Sequence, residues 1–250
     1  MENYGPATYG ERNADVYDEW HAWLDPADAV RCLTELLATG PAGPVLELAV
    51  GTGRVTIPLA EQGVDLYGID ASEQMVLRLR AKPGGDRIPV TIGDMADVAP
   101  DTDRQFAMVF VVFSTFFFLM SQDEQVRCFA NASARLLPGG RFVLECPMPD
   151  LPHYQRRNQT VDAHEVGLEH VRLTALRHDP VEQRFDGQHV LITENGIRLA
   201  PVAMRYAWPS EMDLMARLAG LERRQRWGGW RGEPFRAEGN YVTVYEKPAP

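Results

Sequence analysis

Residues 45–54 read Val45-Leu46-Glu47-Leu48-Ala49-Val50-Gly51-Thr52-Gly53-Arg54. A short apolar run carries one acid, Glu47, and breaks into a Gly-x-Gly turn at Gly51 and Gly53. Val55 to Glu61 has helical character, and a second apolar run, Val64 to Ile69, ends in Asp70. The order is strand, glycine turn, helix, and a second strand closed by an acid. Glycine lets the backbone turn sharply and lets a ligand lie against it with no Cβ in the way. An acid at the end of the second strand of such a unit can accept the hydroxyls of a ribose.

A dinucleotide fingerprint would continue as Gly-x-Gly-x-x-Gly, but Thr56 stands at its third glycine. The first strand also carries a carboxylate, Glu47, which suits a pyrophosphate poorly. A cationic sulfonium with an amino-acid tail suits it well, so the charge favours S-adenosylmethionine. The stretch resembles the class I S-adenosylmethionine-dependent methyltransferase family, whose first turn follows (Asp/Glu)-x-Gly-x-Gly-x-Gly. Here it stands as Glu47-Leu48-Ala49-Val50-Gly51-Thr52-Gly53, with Ala49 in place of the first glycine. The likeness extends to Asp70, to Gly93-Asp94-Met95 and to Leu137-Pro138-Gly139-Gly140.

The resemblance implies a cofactor site. Glu47, Ala49, Gly51 and Gly53 would hold the methionine end of S-adenosylmethionine, which leaves as S-adenosylhomocysteine. Asp70, with Ala71 beside it, would take the ribose. Asp94 would accept from the adenine amino group, with Met95 offering backbone contact. Met75 would pack near the adenine or in the core. Phe113 and Ser114 would stand at the mouth of the fourth strand, where sulfonium and acceptor meet and an aromatic face favours a cation. Tyr17 would point its hydroxyl at the cofactor, and Tyr9 is a weaker version of the same reading.

Composition narrows the field. The chain has 250 residues, enough for one larger domain or one domain with an insertion. No apolar run reaches the ~20 residues that span a bilayer. The polar start, Met1 to Asn13, lacks the basic end and apolar core of a signal peptide. The expected location is cytoplasmic. The net charge of −10 and the absence of a basic cluster speak against nucleic acid. Cys32, Cys128 and Cys146 are odd in number and widely spaced, so they read as reduced core residues with no metal framework. The expected partner is a small molecule, with no nucleic acid and no membrane; a homodimer is left open.

Along the chain, Met1 to Asn13 reads as a flexible arm or a cap over the ligand. Asp25-Pro26 opens a helix over Ala27 to Ala38, and Ser72 caps another. Pro89 to Ile92, Phe106 to Phe113 and Arg141 to Glu145 supply the third to fifth strands, with a helix over Ser121 to Leu137. Strands alternating with helices predict a doubly wound, mostly parallel α/β sheet, which the resemblance makes seven-stranded and Rossmann-like. Beyond Cys146, three short alternating runs (169–178, 185–193 and 197–207) and two turn signals, Asp186-Gly187 and Asn195-Gly196, predict an antiparallel β lid between the fifth and sixth strands. The expected division is a cofactor-binding core, 1–146 and 208–250, with a substrate-binding lid, 147–207. A helix capped by Ser210 and two further strands close the chain.

The acceptor side is less sharply written. Tyr17 and His153 are the catalytic candidates. His153 and Tyr154 follow the fifth strand at the expected rim, and Phe116, Phe117, Trp208 and Trp230 are candidates for the substrate wall. His164, His170, His178 and His189 read as surface or satisfied lid residues. Ala14-Asp15-Val16-Tyr17-Asp18 and Val112-Phe113-Ser114-Thr115 are similar to N,N-dimethyltransferases acting on amino sugars in antibiotic pathways. The expected activity is methyl transfer to N or O of a small molecule, plausibly in secondary metabolism. The alternative is a non-methylating, cyclase-like enzyme or binding module on the same fold.

Overall fold

A computed structural model describes residues 1–98, 103–149 and 158–249. Its centre is β1 (Val45–Leu48), buried along its whole length. It pairs in parallel with β2 (Leu66–Asp70) and β4 (Phe106–Val111). β3 (Val90–Ile92) extends one edge. On the other side lie β5 (Leu136–Pro147), β11 (Asn240–Glu246) and β10 (Glu222–Trp227). The order is β10-β11-β5-β4-β1-β2-β3, and only β11 runs against its neighbours. The sheet is therefore mostly parallel, as the alternation of strands and helices predicts.

Both faces are covered, which is why the strands read as continuous apolar runs. One face packs Phe129, Phe142 and Tyr245 under α6 (Gln122–Arg135) and α7 (Pro209–Leu218). The other packs Leu33, Leu59, Phe110 and Val143 under α3 (Ala27–Ala38) and α4 (Thr56–Glu61). α5 (Glu73–Arg80) starts at Ser72, whose Oγ accepts from the Met75 N–H at 3.2 Å. Two short N-terminal helices, α1 (Thr8–Asn13) and α2 (Tyr17–Trp20), lie across the carboxyl ends of the strands, with α1 against α5. No described helix is long and apolar enough to cross a membrane.

A second sheet lies in the chain between β5 and α7. β6 (Gln159–Val166), β7 (His170–Asp179), β8 (Arg184–Thr193) and β9 (Gly196–Arg205) form an antiparallel meander. β9 rests on α1 and on the turn after β4. At its root Arg205 is buried, bridging to Glu211 at 2.8 Å and donating to Gln125. This ties the second sheet to α6 and α7.

Four local expectations change. β6 is an additional strand, mostly exposed at the sheet edge. Asp186-Gly187 is no turn: it lies within β8, with Gly187 opposite Leu176. A Cβ there would meet Leu176 Cδ2 at 2.2 Å, so this glycine serves a close cross-strand approach. The tight turn lies one residue earlier than Asn195-Gly196, since Thr193 and Gly196 pair across Glu194-Asn195. Finally, α7 starts with Pro209 at its first position behind Trp208, and Ser210 lies inside the first turn.

Candidate active site

The turn after β1 uses three left-handed residues, Ala49 (φ 55°), Gly51 (φ 57°) and Gly53 (φ 83°). Gly53 has a second reason to be glycine: a Cβ would meet Ile57 Cδ1 at 2.9 Å. The turn is tied to the next strand end through one carboxylate. Asp70 Oδ2 accepts from the Gly51 N–H at 2.7 Å, and Oδ1 accepts from the Ser72 N–H at 2.8 Å. Each oxygen keeps acceptor capacity for a further donor. Burial pushes this carboxyl above its ordinary value, opposed by the two N–H bonds.

Glu47 is buried on the α4 face, where the Thr56 hydroxyl donates to its Oε2. Burial raises its pKa well above the ordinary range, with the nearby Arg54 pulling the other way. It borders a narrow side cleft behind the glycine turn, shared with Tyr17, Ala49, Gly51 and Phe113. Asp94 follows β3, and its Oδ1 accepts from the Ala96 N–H at 2.9 Å.

The N-terminal helices close over this end. Glu11 Oε1 accepts from the Ser72 hydroxyl at 2.8 Å and the Gln74 N–H at 3.2 Å. Gly10 presses so closely on α5 that a Cβ would lie 2.4 Å from Ser72 Cβ. Asp18 Oδ1 accepts from the Thr52 hydroxyl at 2.6 Å, and its Oδ2 pairs with Lys82 at 2.8 Å. α2 is thereby strapped to the glycine turn, which fixes Tyr17 and His21.

These elements enclose a cavity of about 370 Å³, within the range of small-ligand sites. From the expected cofactor set, Tyr9, Tyr17, Ala49, Gly51, Asp70, Ala71, Met75, Asp94, Met95, Phe113 and Ser114 line it. Glu47 reaches only the side cleft, and Gly53 borders neither. From the expected substrate wall, Phe116 and Phe117 are buried in the core instead, Phe116 edge-on to Phe129. Phe118 and Leu119 take the wall positions. Trp208 packs on Tyr206, and Trp230 packs beside the α3 core, so neither lines the cavity. His153 and Tyr154 lie outside the described residues.

The mouth after β4 is strained. Phe113 (φ 55°) and Ser114 (φ 62°) are consecutive non-glycine residues in the left-handed region, which costs about 1–3 kcal/mol each. Glu145 holds them there: its Oε2 accepts from the Phe113 N–H at 2.8 Å and its carbonyl from the Ser114 N–H at 3.2 Å. The strain turns Phe113 towards His21, with ring centroids 5.1 Å apart, while Arg54 stacks on the same ring at 4.5 Å.

His21 and Glu145, which the sequence reading did not single out, and His189, which it took for a surface or satisfied lid residue, shape this site. His21 follows α2, packs 4.6 Å from the Tyr17 ring and lies 3.4 Å from the Tyr9 hydroxyl through Nε2. Its Nδ1 is buried with no hydrogen-bond partner among the described residues. Burial, then the charge of Arg54, pushes its pKa down to about 4, so it is neutral at neutral pH. His189 reaches the cavity from β8, beside Val202 and Met204 of β9. Among the described residues no Lys or Arg lines the cavity, and the carboxylates that do are Asp70, Asp94 and Glu124. Glu124 is committed to the cap of α6. Among the described residues no His, Cys, Asp and Glu cluster could hold a metal ion.

A family model described as a methyltransferase domain matches residues 45–140. The cypemycin N-terminal methyltransferase of a Streptomyces species is 27% identical over 246 residues, 96% of this chain and 97% of that protein. The structure of the CcbJ methyltransferase from Streptomyces caelestis is 39% identical, with a TM-score of 0.87, covering 98% of this chain and 100% of that one. The S-adenosylmethionine-bound CalS10 of Micromonospora echinaspora, an amino pentose methyltransferase, shares the fold at 21% identity and a TM-score of 0.66, over 99% of both chains.

Proposed function

The chain belongs to the S-adenosylmethionine-dependent methyltransferases, and from that premise we propose that it methylates an amine nitrogen of a small molecule made in secondary metabolism. The cofactor supplies an electrophilic methyl group on a sulfonium. Asp70, with spare acceptor capacity on both buried oxygens, would hold the ribose, and Asp94 the adenine amino group. Glu47 would face the amino-acid tail across the side cleft. Tyr17 and Phe113 would border the reacting centre, and the four-stranded sheet would serve as the lid that carries substrate choice. The cytoplasm remains the expected location, in keeping with three buried free cysteines.

One observation carries the choice of nitrogen: among the described residues the acceptor wall is aromatic and lined by no Lys or Arg, the Arg54 guanidinium being stacked on the Phe113 ring, and it holds an imidazole that is uncharged at neutral pH. An anionic acceptor such as a carboxylate would meet no Lys or Arg in the cavity lining among the described residues. An ammonium entering this apolar wall is pushed towards its neutral, nucleophilic form by desolvation. His21 lines the wall that the amine would meet, and aromatic faces favour the cationic product. Alignment and water exclusion do the rest. The names of the cypemycin enzyme and of CalS10 are in keeping with an amine acceptor.

The test is release of S-adenosylhomocysteine with a panel of acceptors: amino sugars, peptides with a free N-terminus, phenols and carboxylic acids. Turnover confined to the amines is the expected result. Preferential turnover of phenols or acids would overturn the nitrogen assignment, and binding without any turnover would favour a binding module.

A further inference from the structure

The lid carries a row of polar side chains that crosses β8, β7 and β6. His189 of β8 and Thr174 of β7 are direct cross-strand partners and share the face that looks into the molecule. His189 Nδ1 lies 2.7 Å from Thr174 Oγ1, and the same oxygen lies 2.7 Å from His164 Nε2 on β6. His164 sits at a register break between Ala163 and Glu165, where a β-bulge re-aims its side chain towards Thr174. Along this row burial changes sharply. His189 lines the cavity, Thr174 is 5% exposed, and His164 is exposed at the sheet edge.

A buried hydroxyl bridging two imidazoles, one at the ligand cavity and one in solvent, is the arrangement of a proton path. We propose that His189, Thr174 and His164 carry the acceptor's proton from the cavity to water; this rests on the amine reading above. His189 Nε2 takes a proton from the ammonium, leaving the nitrogen its lone pair. His189 Nδ1–H passes its proton to Thr174 Oγ1, the Thr174 hydroxyl passes its own to His164 Nε2, and His164 Nδ1–H gives one to water. The freed lone pair then forms the N–CH3 bond as the S–CH3 bond breaks, its electrons staying on sulfur. An ammonium and a sulfonium thus become a methylammonium, a neutral thioether and one released proton.

The surroundings suit the direction of travel. Burial, then the charges of His164 and Arg172, lower the His189 pKa, so it releases a proton it has taken up. The groups packed around the row are Arg172 and Glu165, the latter also 2.9 Å from His170, Asp162 beside the bulge, His21 and Trp20 of the N-terminal segment, and Arg198 of β9 paired with Asp15. Within this set Thr174 and His164 are positioning residues, acting through His189.

Thr174→Val keeps the shape and removes the bridge, and Thr174→Ser restores it. In Thr174→Val, kcat/KM at pH 7 on an amine acceptor should fall at least tenfold, within the range general acid–base steps contribute. Its acid limb should move up towards the acceptor's own pKa, converging on wild type above it; Thr174→Ser should return to the wild-type profile. A readout free of acceptor and cofactor comes from NMR titration of the imidazole nitrogens. In wild type and Thr174→Ser, protonation of His164 should shift the His189 Nδ1 resonance; in Thr174→Val it should not. Uncoupled titrations in wild type, or an unshifted pH profile in a folded Thr174→Val, would overturn the path. A coupled wild type that methylates no amine would overturn the amine reading and leave the hydrogen-bonded row standing.

Discussion

The two ends of the cavity are built differently. The proposed cofactor end comes largely from the run β1 to β2, with Asp94 added after β3, and it holds its shape with backbone: Gly51 and Ser72 N–H groups grip the two oxygens of Asp70. The proposed acceptor end is assembled from side chains far apart in sequence: His21 near the N-terminus, Phe113 after β4, His189 in the second sheet. A backbone-made site depends on a few turn residues and admits one kind of ligand. A side-chain-made site can change its occupant without disturbing the fold, which is where substrate choice in such enzymes has room to vary.

The sharpest way to break that contrast is at Asp70. Asp70→Ala removes two charge-assisted hydrogen bonds to backbone and the expected ribose acceptor. Titration calorimetry should show S-adenosylmethionine affinity falling by roughly two orders of magnitude, about 3 kcal/mol. An unchanged affinity would mean that the turn holds the ligand without its carboxylate anchor.

A smaller effect is expected where the two ends meet. Gly10→Val sets a side chain against Ser72 and should lift α1 off α5. Affinity should fall about tenfold, the ~1–1.5 kcal/mol of a lost hydrogen-bonded contact, and proteolysis of the first 13 residues should speed up. If affinity holds, α1 is no part of the cofactor site.

His21→Phe addresses the acceptor end alone. S-adenosylmethionine binding should be kept within about twofold, while kcat falls roughly tenfold. The sign of its pH effect follows from the lowered pKa. Between pH 6.5 and about 4 the unfolded chain binds a proton at His21 that the folded one does not. Acid therefore destabilises wild type at this residue, and the melting temperature of His21→Phe should gain on wild type as pH falls through that window. A constant difference would place the imidazole in solvent contact.

The smallest effect concerns the glycine turn itself. Ala49 sits at φ 55° where the family pattern has glycine. Ala49→Gly should stabilise by about 0.5–1 kcal/mol, relief of left-handed strain less the added chain entropy. Thermal melting should register this as a rise of a few degrees.

The same contrast governs how much could be read in advance. Ala27 to Ala38 and the five strands through Arg141 to Glu145 were legible because each is a local pattern: apolar runs with the period of their element, a proline at a start, a glycine turn, an acid. The lid strands 169–178, 185–193 and 197–207 were legible for the same reason. β6 was not, since Gln159–Val166 is a polar edge strand whose outer face needs no apolar period. Asp186-Gly187 misled because the dipeptide reads as a turn locally, while the fold needs a missing side chain opposite Leu176. Phe116 and Phe117 misled because within a single 3₁₀ turn, Thr115–Phe118, both rings go to the core while the next one, Phe118, lines the cavity.

The sequence by itself determined the alternation of strands and helices, the glycine turn, and the acids Glu47, Asp70 and Asp94 at the ends of their strands. These are consequences of backbone conformation and short-range order, which neighbouring residues dictate. Only the tertiary structure decided that His21 becomes a neutral imidazole facing Phe113, that Glu145 holds two strained residues, and that His189, Thr174 and His164 form one row. Histidine and threonine carry no signal of their surroundings. Burial sets the charge of an imidazole, and strand register sets its neighbour, and both exist only once distant segments have packed.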